Sequence, residues 1–168
     1  MLFSKSYTVI KDKFIVGEYP ASKNEEECFT KLNSLIAQEI EVVINLMEPK
    51  EKNNDGELFF DYTRYLKQHG IETYQFPIVD LSIPSKEDMK QILNKVDSCI
   101  KQNKKVYLHC WGGIGRTGTV VGCYLLKHKI ATKEIVFNKI EELKMYSGLA
   151  HRASPEMEEQ YQFILDWD

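Results

Sequence analysis

The segment His109-Cys110-Trp111-Gly112-Gly113-Ile114-Gly115-Arg116-Thr117-Gly118 constrains this chain more than any other. Before it runs Lys105-Val106-Tyr107-Leu108, largely apolar and β-prone; after it, residues 119–128 read as a helix. Strand, glycine-rich loop and helix start, in that order, turn backbone N–H groups inward and make an anion cradle at a helix N-terminus. A thiol stands at the base of the loop and a guanidinium at its rim. The arrangement suits nucleophilic attack on a phosphate ester.

The rest of the pattern is α/β. Strands are predicted at 7–10, 14–17, 41–46, 72–77 and 105–110, and helices at 25–38, 58–69, 85–102, 132–145 and 154–168. Val42-Val43-Ile44 and Val106-Tyr107-Leu108 are continuous apolar runs, as in strands covered on both faces. Ser85 is the expected N-cap of its helix. Ser154 is the expected N-cap of the last helix, with Pro155 at its first position. The stripe Ile135, Val136, Ile140 and Leu143 is expected to face the core. The helix after the cradle is apolar nearly all round, so it is expected at the centre of the fold. A central, mostly parallel (mixed) sheet of about five strands with helices on both faces follows. Ligands in such sheets sit beyond the carboxyl ends of the strands, where the cysteine loop leaves residues 105–110. Residues 47–56 read as a surface connection, and 1–168 as one domain.

A net charge of −3 gives no polycationic surface, so nucleic acid is not an expected partner. No apolar run approaches membrane-spanning length, and residues 1–16 lack a signal-peptide core. Cys28, Cys99 and Cys123 fall in helical patterns as small buried hydrophobes, with no disulfide framework. A reducing cytoplasm is the expected compartment, and a monomer the expected state. His69, His128 and His151 show no metal-ligand spacing; neither metal nor cofactor is expected.

The loop resembles the Cys-x5-Arg signature of the protein tyrosine phosphatase superfamily. Two further matches extend the resemblance over residues 40–167, toward its compact dual-specificity-like and bacterial members. It implies a cysteine-dependent phosphatase working through a cysteinyl-phosphate. Cys110 is the nucleophile; a helix N-terminus and a nearby cation favour the thiolate, its reactive form. Arg116 clamps two phosphate oxygens in a bidentate fork. Trp111, Gly112, Gly113, Ile114, Gly115 and Arg116 form the substrate-binding loop, and His109 fixes it by hydrogen bonding. By resemblance, the Thr117 hydroxyl stabilises the departing thiolate. The resemblance also predicts a general acid about thirty residues upstream. Asp80 stands there, between Pro77 and Pro84, with no other acid in the segment. The third match is Arg152-Ala153-Ser154-Pro155-Glu156-Met157-Glu158-Glu159-Gln160. In it Gln160 would position the hydrolytic water, with Gln162 as the neighbouring candidate, and Arg152 would add positive potential at the rim.

Gly113-x-Gly115-x-x-Gly118 also satisfies a dinucleotide-binding fingerprint. The remaining fifty residues are mostly helical in pattern and leave no place for the second strand and its acid. A phosphate-binding module without catalysis, and a thiol redox protein on the same cradle, are the other readings. The expected substrate is a phosphorylated protein, phosphotyrosine before phosphoserine or phosphothreonine. A small phosphate ester or phosphoinositide is the alternative, the last disfavoured because residues 111–114 carry no lysine.

Overall fold

Strand β1 (Ser6–Ile10) turns back antiparallel onto β2 (Phe14–Gly17), and the chain then crosses into α1 (Glu25–Ala37). Next come β3 (Val42–Asn45), α2 (Thr63–Gln68), β4 (Glu72–Gln75), α3 (Lys86–Lys101), β5 (Val106–His109), α4 (Gly115–Lys127), α5 (Val136–Lys144) and α6 (Glu158–Leu165). This computed structural model describes residues 2–168. The sheet order is β1-β2-β5-β3-β4, with every pairing parallel except β1 with β2. The five-stranded mixed sheet and its two helical layers are those the sequence predicts.

Period-two alternation explains the layers. Ile15, Val43 and Tyr107 point to the face covered by α1 and α2. Val16, Val42, Ile44, Val106 and Leu108 point to the other, covered by α3, α4, α5 and α6. Two of the helices start where the sequence supplies a partner for orphan N–H groups. Asn24 Oδ1 accepts from Glu27 N at 2.9 Å, and Ser85 Oγ accepts from Asp88 N at 3.0 Å. Residues 115–125 of α4 are all buried, so the helix that carries the cradle is gripped on every side.

Three helices are shorter than the sequence suggests. The segment 58–69 becomes helical only at Thr63. Leu58 instead bridges to Lys52 in a small hairpin, and Asp61 Oδ1 accepts from Thr63 N at 2.9 Å to start α2. The segment 132–145 begins with a turn closed by Ile135 N donating to Thr132 O. Ile135 is therefore exposed, off the core stripe, while Val136 and Ile140 are buried. The last helix starts at Glu158, with Met157 at its N-cap. Ser154 does not cap it: Ser154 Oγ donates to Ile114 O at 2.9 Å, tying the segment to the cradle. No helix among the described residues is long and apolar enough to cross a membrane.

Candidate active site

The centre of the sheet sets the position of the thiol. His109 ends β5 between Gly17 of β2 and Asn45 of β3, and Cys110 follows at the carboxyl edge. The loop then returns against β2, where Tyr19 N donates to Trp111 O at 2.9 Å. Gly113 has φ +74, and a Cβ there would meet the Gly17 carbonyl and Glu18 N. Only glycine fits that close approach. The N–H groups of Trp111, Gly112 and Gly113 donate to no acceptor among the described residues. They are left to an anion, as the helix N-terminus of α4 favours.

Cys110 is buried and accepts a hydrogen bond from Thr117 Oγ1, 3.1 Å from Sγ. Behind it, His109 Nδ1 lies 2.9 Å from Cys110 O and Nε2 lies 2.5 Å from Tyr62 Oη. A carbonyl only accepts, so Nδ1 carries the proton and Tyr62 donates to Nε2. Burial, aided by the Arg116 charge, lowers the His109 pKa from 6.5 to about 4 against the opposing Cys110 carbonyl bond. His109 is thus a neutral strut. Burial pushes the Cys99 and Cys123 thiols up, away from the reactive form. All four cysteines are free and buried.

Arg116 is the largest fully buried side chain. Its Nη1 donates to Glu51 Oε2 at 2.7 Å and Ile78 O at 3.0 Å, and its Nη2 donates to Glu51 Oε1 at 2.9 Å. Asp80 Oδ1 is an ion-pair partner of the same Nη2 at 2.8 Å. Burial alone would lower the Arg116 pKa; the Glu51 hydrogen bonds, with the Cys110, Glu51 and Asp80 charges, turn the net shift upward. Residues 47–56 form a mostly exposed connection, as the sequence suggests, but Glu51 turns inward from it: its side chain is 9% exposed and anchors the guanidinium. The signal that could have found it is physical: a buried guanidinium needs a carboxylate, and this acid-bearing turn was available.

A cavity of about 340 Å³ opens over the thiol, with Asp80, Cys110, Gly112, Gly115 and Arg116 in its wall. Trp111 and Arg152 also line it, as do Glu156 of the third motif and Asn54 and Leu81, two residues that the sequence did not single out. Arg152 is partly neutralised by Glu156, 2.8 Å away. Gly113 and Ile114 are absent from the wall; the first packs against the end of β2, and the second is buried in the core. Gln160 is fully buried beside Gly115. Its Oε1 accepts from Glu156 N and Met157 N, both at 3.1 Å, and its Nε2 donates to Ser82 O at 3.0 Å. It therefore caps α6 and tethers the Asp80 loop. Gln162 is exposed and bonds to Asp166.

A family model described as a polymorphic toxin system DSP-PTPase phosphatase matches residues 16–130, more than half of the chain. Cyclin-dependent kinase inhibitor 3 of Rattus norvegicus is 38% identical over 60 residues, 36% of this chain and 28% of that protein. Dual specificity protein phosphatase CDC14A of Homo sapiens is 37% identical over 59 residues, 35% of this chain and 9% of that protein. The matched stretch thus spans less than a third of either relative. Among solved structures, a mutant form of Tk-PTP superposes with a TM-score of 0.72 at 24% identity, covering 98% of this chain and 93% of that one. PTPMT1 in complex with PI(5)P gives 0.70 at 15% identity, covering 96% and 93%. These likenesses carry the fold; the family match, which takes in Asp80, Cys110 and Arg116, carries more. The chain belongs to the DSP-PTPase phosphatase family of polymorphic toxin systems, a cysteine-based, dual-specificity-like branch of the protein tyrosine phosphatase superfamily.

Proposed function

We propose that this chain hydrolyses phosphate monoesters on proteins, phosphotyrosine first, with Cys110 as nucleophile. The observation that carries the reading is the shared cavity: a buried thiol hydrogen-bonded by Thr117, open N–H groups beside it, and one guanidinium facing the same space. In the first step the Cys110 thiolate attacks phosphorus, the bond from phosphorus to the ester oxygen breaks, and Asp80 in its protonated form gives its proton to that oxygen. In the second, water attacks phosphorus, Asp80 takes a proton from it, and the thiolate leaves, stabilised by the Thr117 hydroxyl.

Donor counting supports a defined order of events. A guanidinium has five N–H groups. Three donate to Glu51 and Ile78, so Nε–H and one N–H of Nη2 remain for a phosphate. Asp80 occupies the neighbourhood of that Nη2 proton. An arriving phosphate displaces Asp80 from Arg116, and the carboxyl is released where the leaving oxygen stands. Gln160 is fully buried, absent from the cavity wall and bonded to Ser82 O, so it reaches a hydrolytic water only if this packing loosens. Its role in the second step is therefore coupled to movement of the Asp80 loop. The same reading takes residues 1–168 as one catalytic domain, acting as a monomer in a reducing cytoplasm, where a thiolate survives, with neither nucleic acid nor membrane as partner.

The test is a panel of phosphopeptides and p-nitrophenyl phosphate on wild type and Cys110→Ser. Wild type is expected to turn over both, and vanadate to inhibit it. Cys110→Ser is expected to lose turnover to background and still bind phosphate analogues. Activity retained in the variant removes Cys110 from the nucleophile position.

A further inference from the structure

A second concavity, of about 330 Å³, adjoins the catalytic cavity, and the two share Trp111 and Asn54 as a common wall. Its floor is aromatic. Tyr19 meets Phe59 edge-on at 4.9 Å between ring centroids, and Phe59 meets Trp111 edge-on at 5.2 Å. Leu58 and Phe60 stand at its mouth, 58% and 46% exposed. The hairpin that carries them is anchored at its base by Glu51 on Arg116, so the trough is fixed relative to the phosphate cradle.

Charge decides what such a trough can take. Two lysines line it, and both are matched by acids. Lys23 pairs with Asp55 and Glu57; Lys31 pairs with Glu18 and Glu27, and Glu18 also holds Lys5. Among the described residues lining the trough, no cation is left over for a second phosphate or a carboxylate. Leu81, in the wall of the catalytic cavity, is exposed, as is Val79 of the same loop, so part of that rim is apolar too. Polar side chains share the lining of the trough, and its exposed aromatic and aliphatic groups, continuous with a catalytic cavity, mark an interaction site.

We infer that the trough is a subsite for an uncharged apolar side chain, aliphatic or aromatic, flanking the phosphorylated residue of a protein substrate. The inference rests on the phosphatase reading and narrows it: the substrate is a phosphoprotein segment with apolar neighbours, and polyphosphorylated small molecules are poor ligands. Phe59 and Trp111 make the rigid wall, while Leu58 and Phe60 close over the guest.

The experiment uses phosphotyrosine peptides identical except for the two residues on each side, which are Leu and Phe, Ser, or Glu. Each is assayed for kcat/KM on wild type and on Leu58→Ser/Phe60→Ser, with p-nitrophenyl phosphate as a probe too small to reach the trough. The same peptides are titrated by fluorescence anisotropy onto Cys110→Ser, and inositol hexakisphosphate is added as competitor. Wild type is expected to prefer apolar over Ser flanks about tenfold, the scale of burying one large side chain. The double variant should narrow that preference to about twofold and keep its rate on the small ester. Equal kcat/KM for all flanks, a preference for Glu, displacement by the inositol phosphate at lower concentration than the apolar peptide, or an equal loss on the small ester each overturn the subsite. Should nothing be turned over, the anisotropy ranking on Cys110→Ser still decides the subsite, while the phosphatase reading alone falls.

Discussion

The cradle at residues 110–118 and the loop at 78–84 meet at one guanidinium, yet they are built in opposite ways. The cradle grows from the central strand into a helix buried along most of its length, and its close approach to β2 allows glycine only at Gly113. The loop exposes Val79 and Leu81, carries Leu81 at φ +60, and is held by a few polar contacts: Ile78 O and Asp80 to Arg116, and Ser82 O to Gln160. A packed element of the first kind opens only near global unfolding, whereas a lightly held one opens locally. The difference matches the chemistry each has in the proposed mechanism. Charge stabilisation needs dipoles that do not reorganise. An acid that later acts as a base must move between two oxygens.

The sharpest way to separate the two regions is Asp80→Ala. It should cost on the order of 10²–10⁴ in kcat for phosphotyrosine, whose leaving group needs a proton, and much less for p-nitrophenyl phosphate. Because Asp80 competes with phosphate for Nη2, vanadate should bind the variant at least as tightly as wild type. An unchanged rate with phosphotyrosine places the acid elsewhere. Glu51→Gln should act differently. It removes the carboxylate from a pair whose side chains are 1% and 9% exposed, and breaking such a pair costs about 3 kcal/mol of stability. With Arg116 less well aimed, kcat/KM should fall roughly 10–100-fold, the scale of a lost charge-assisted hydrogen bond. The loss should be equal for good and poor leaving groups, and vanadate binding should weaken. A leaving-group dependence in Glu51→Gln, or its absence in Asp80→Ala, collapses the distinction between a fixed clamp and a mobile acid.

Much of the cradle was legible in the sequence because its determinants are local. Strand, glycines and buried helix are consecutive, and Cys110, Arg116 and Thr117 inherit their positions from them. Asp80 was singled out by the family resemblance, which pointed about thirty residues upstream of Cys110, and the structure sets it beside Arg116. Glu51 was not, since its partner lies 65 residues away and nothing periodic marks a turn acid that folds inward. Gln160 was placed near the site by motif, but not its hydrogen bonds, which depend on where Ser82 comes to rest. Gly113 and Ile114 belong to the loop in sequence yet not to the cavity wall; the positive φ of Gly113 turns the chain away from the cavity. The helix starts at 58–69 and 154–168 moved where a side chain found a tertiary partner in place of a cap. Phe59 took Trp111, and Ser154 took Ile114 O.

The smallest effect should come from the strut beneath the thiol. Folding moves the His109 pKa from 6.5 down to about 4, chiefly by burial. Between those values the unfolded chain binds a proton at this position that the folded chain does not, so stability rises with pH across the window. It is complete above about pH 6.5 and is lost as the pH falls toward about 4. At about pH 6 the loss is about 1 kcal/mol. Urea unfolding at about pH 7 and about pH 6 should show it in wild type. His109→Asn, which can still donate to Cys110 O, should lack that part of the difference. The acids held below their ordinary range, Glu27, Glu72 and Glu134, lose their contribution at lower pH, so they do not mimic it. If wild type and variant respond alike across that interval, burial does not lower the His109 pKa, and the folded chain takes up a proton there as readily as the unfolded one.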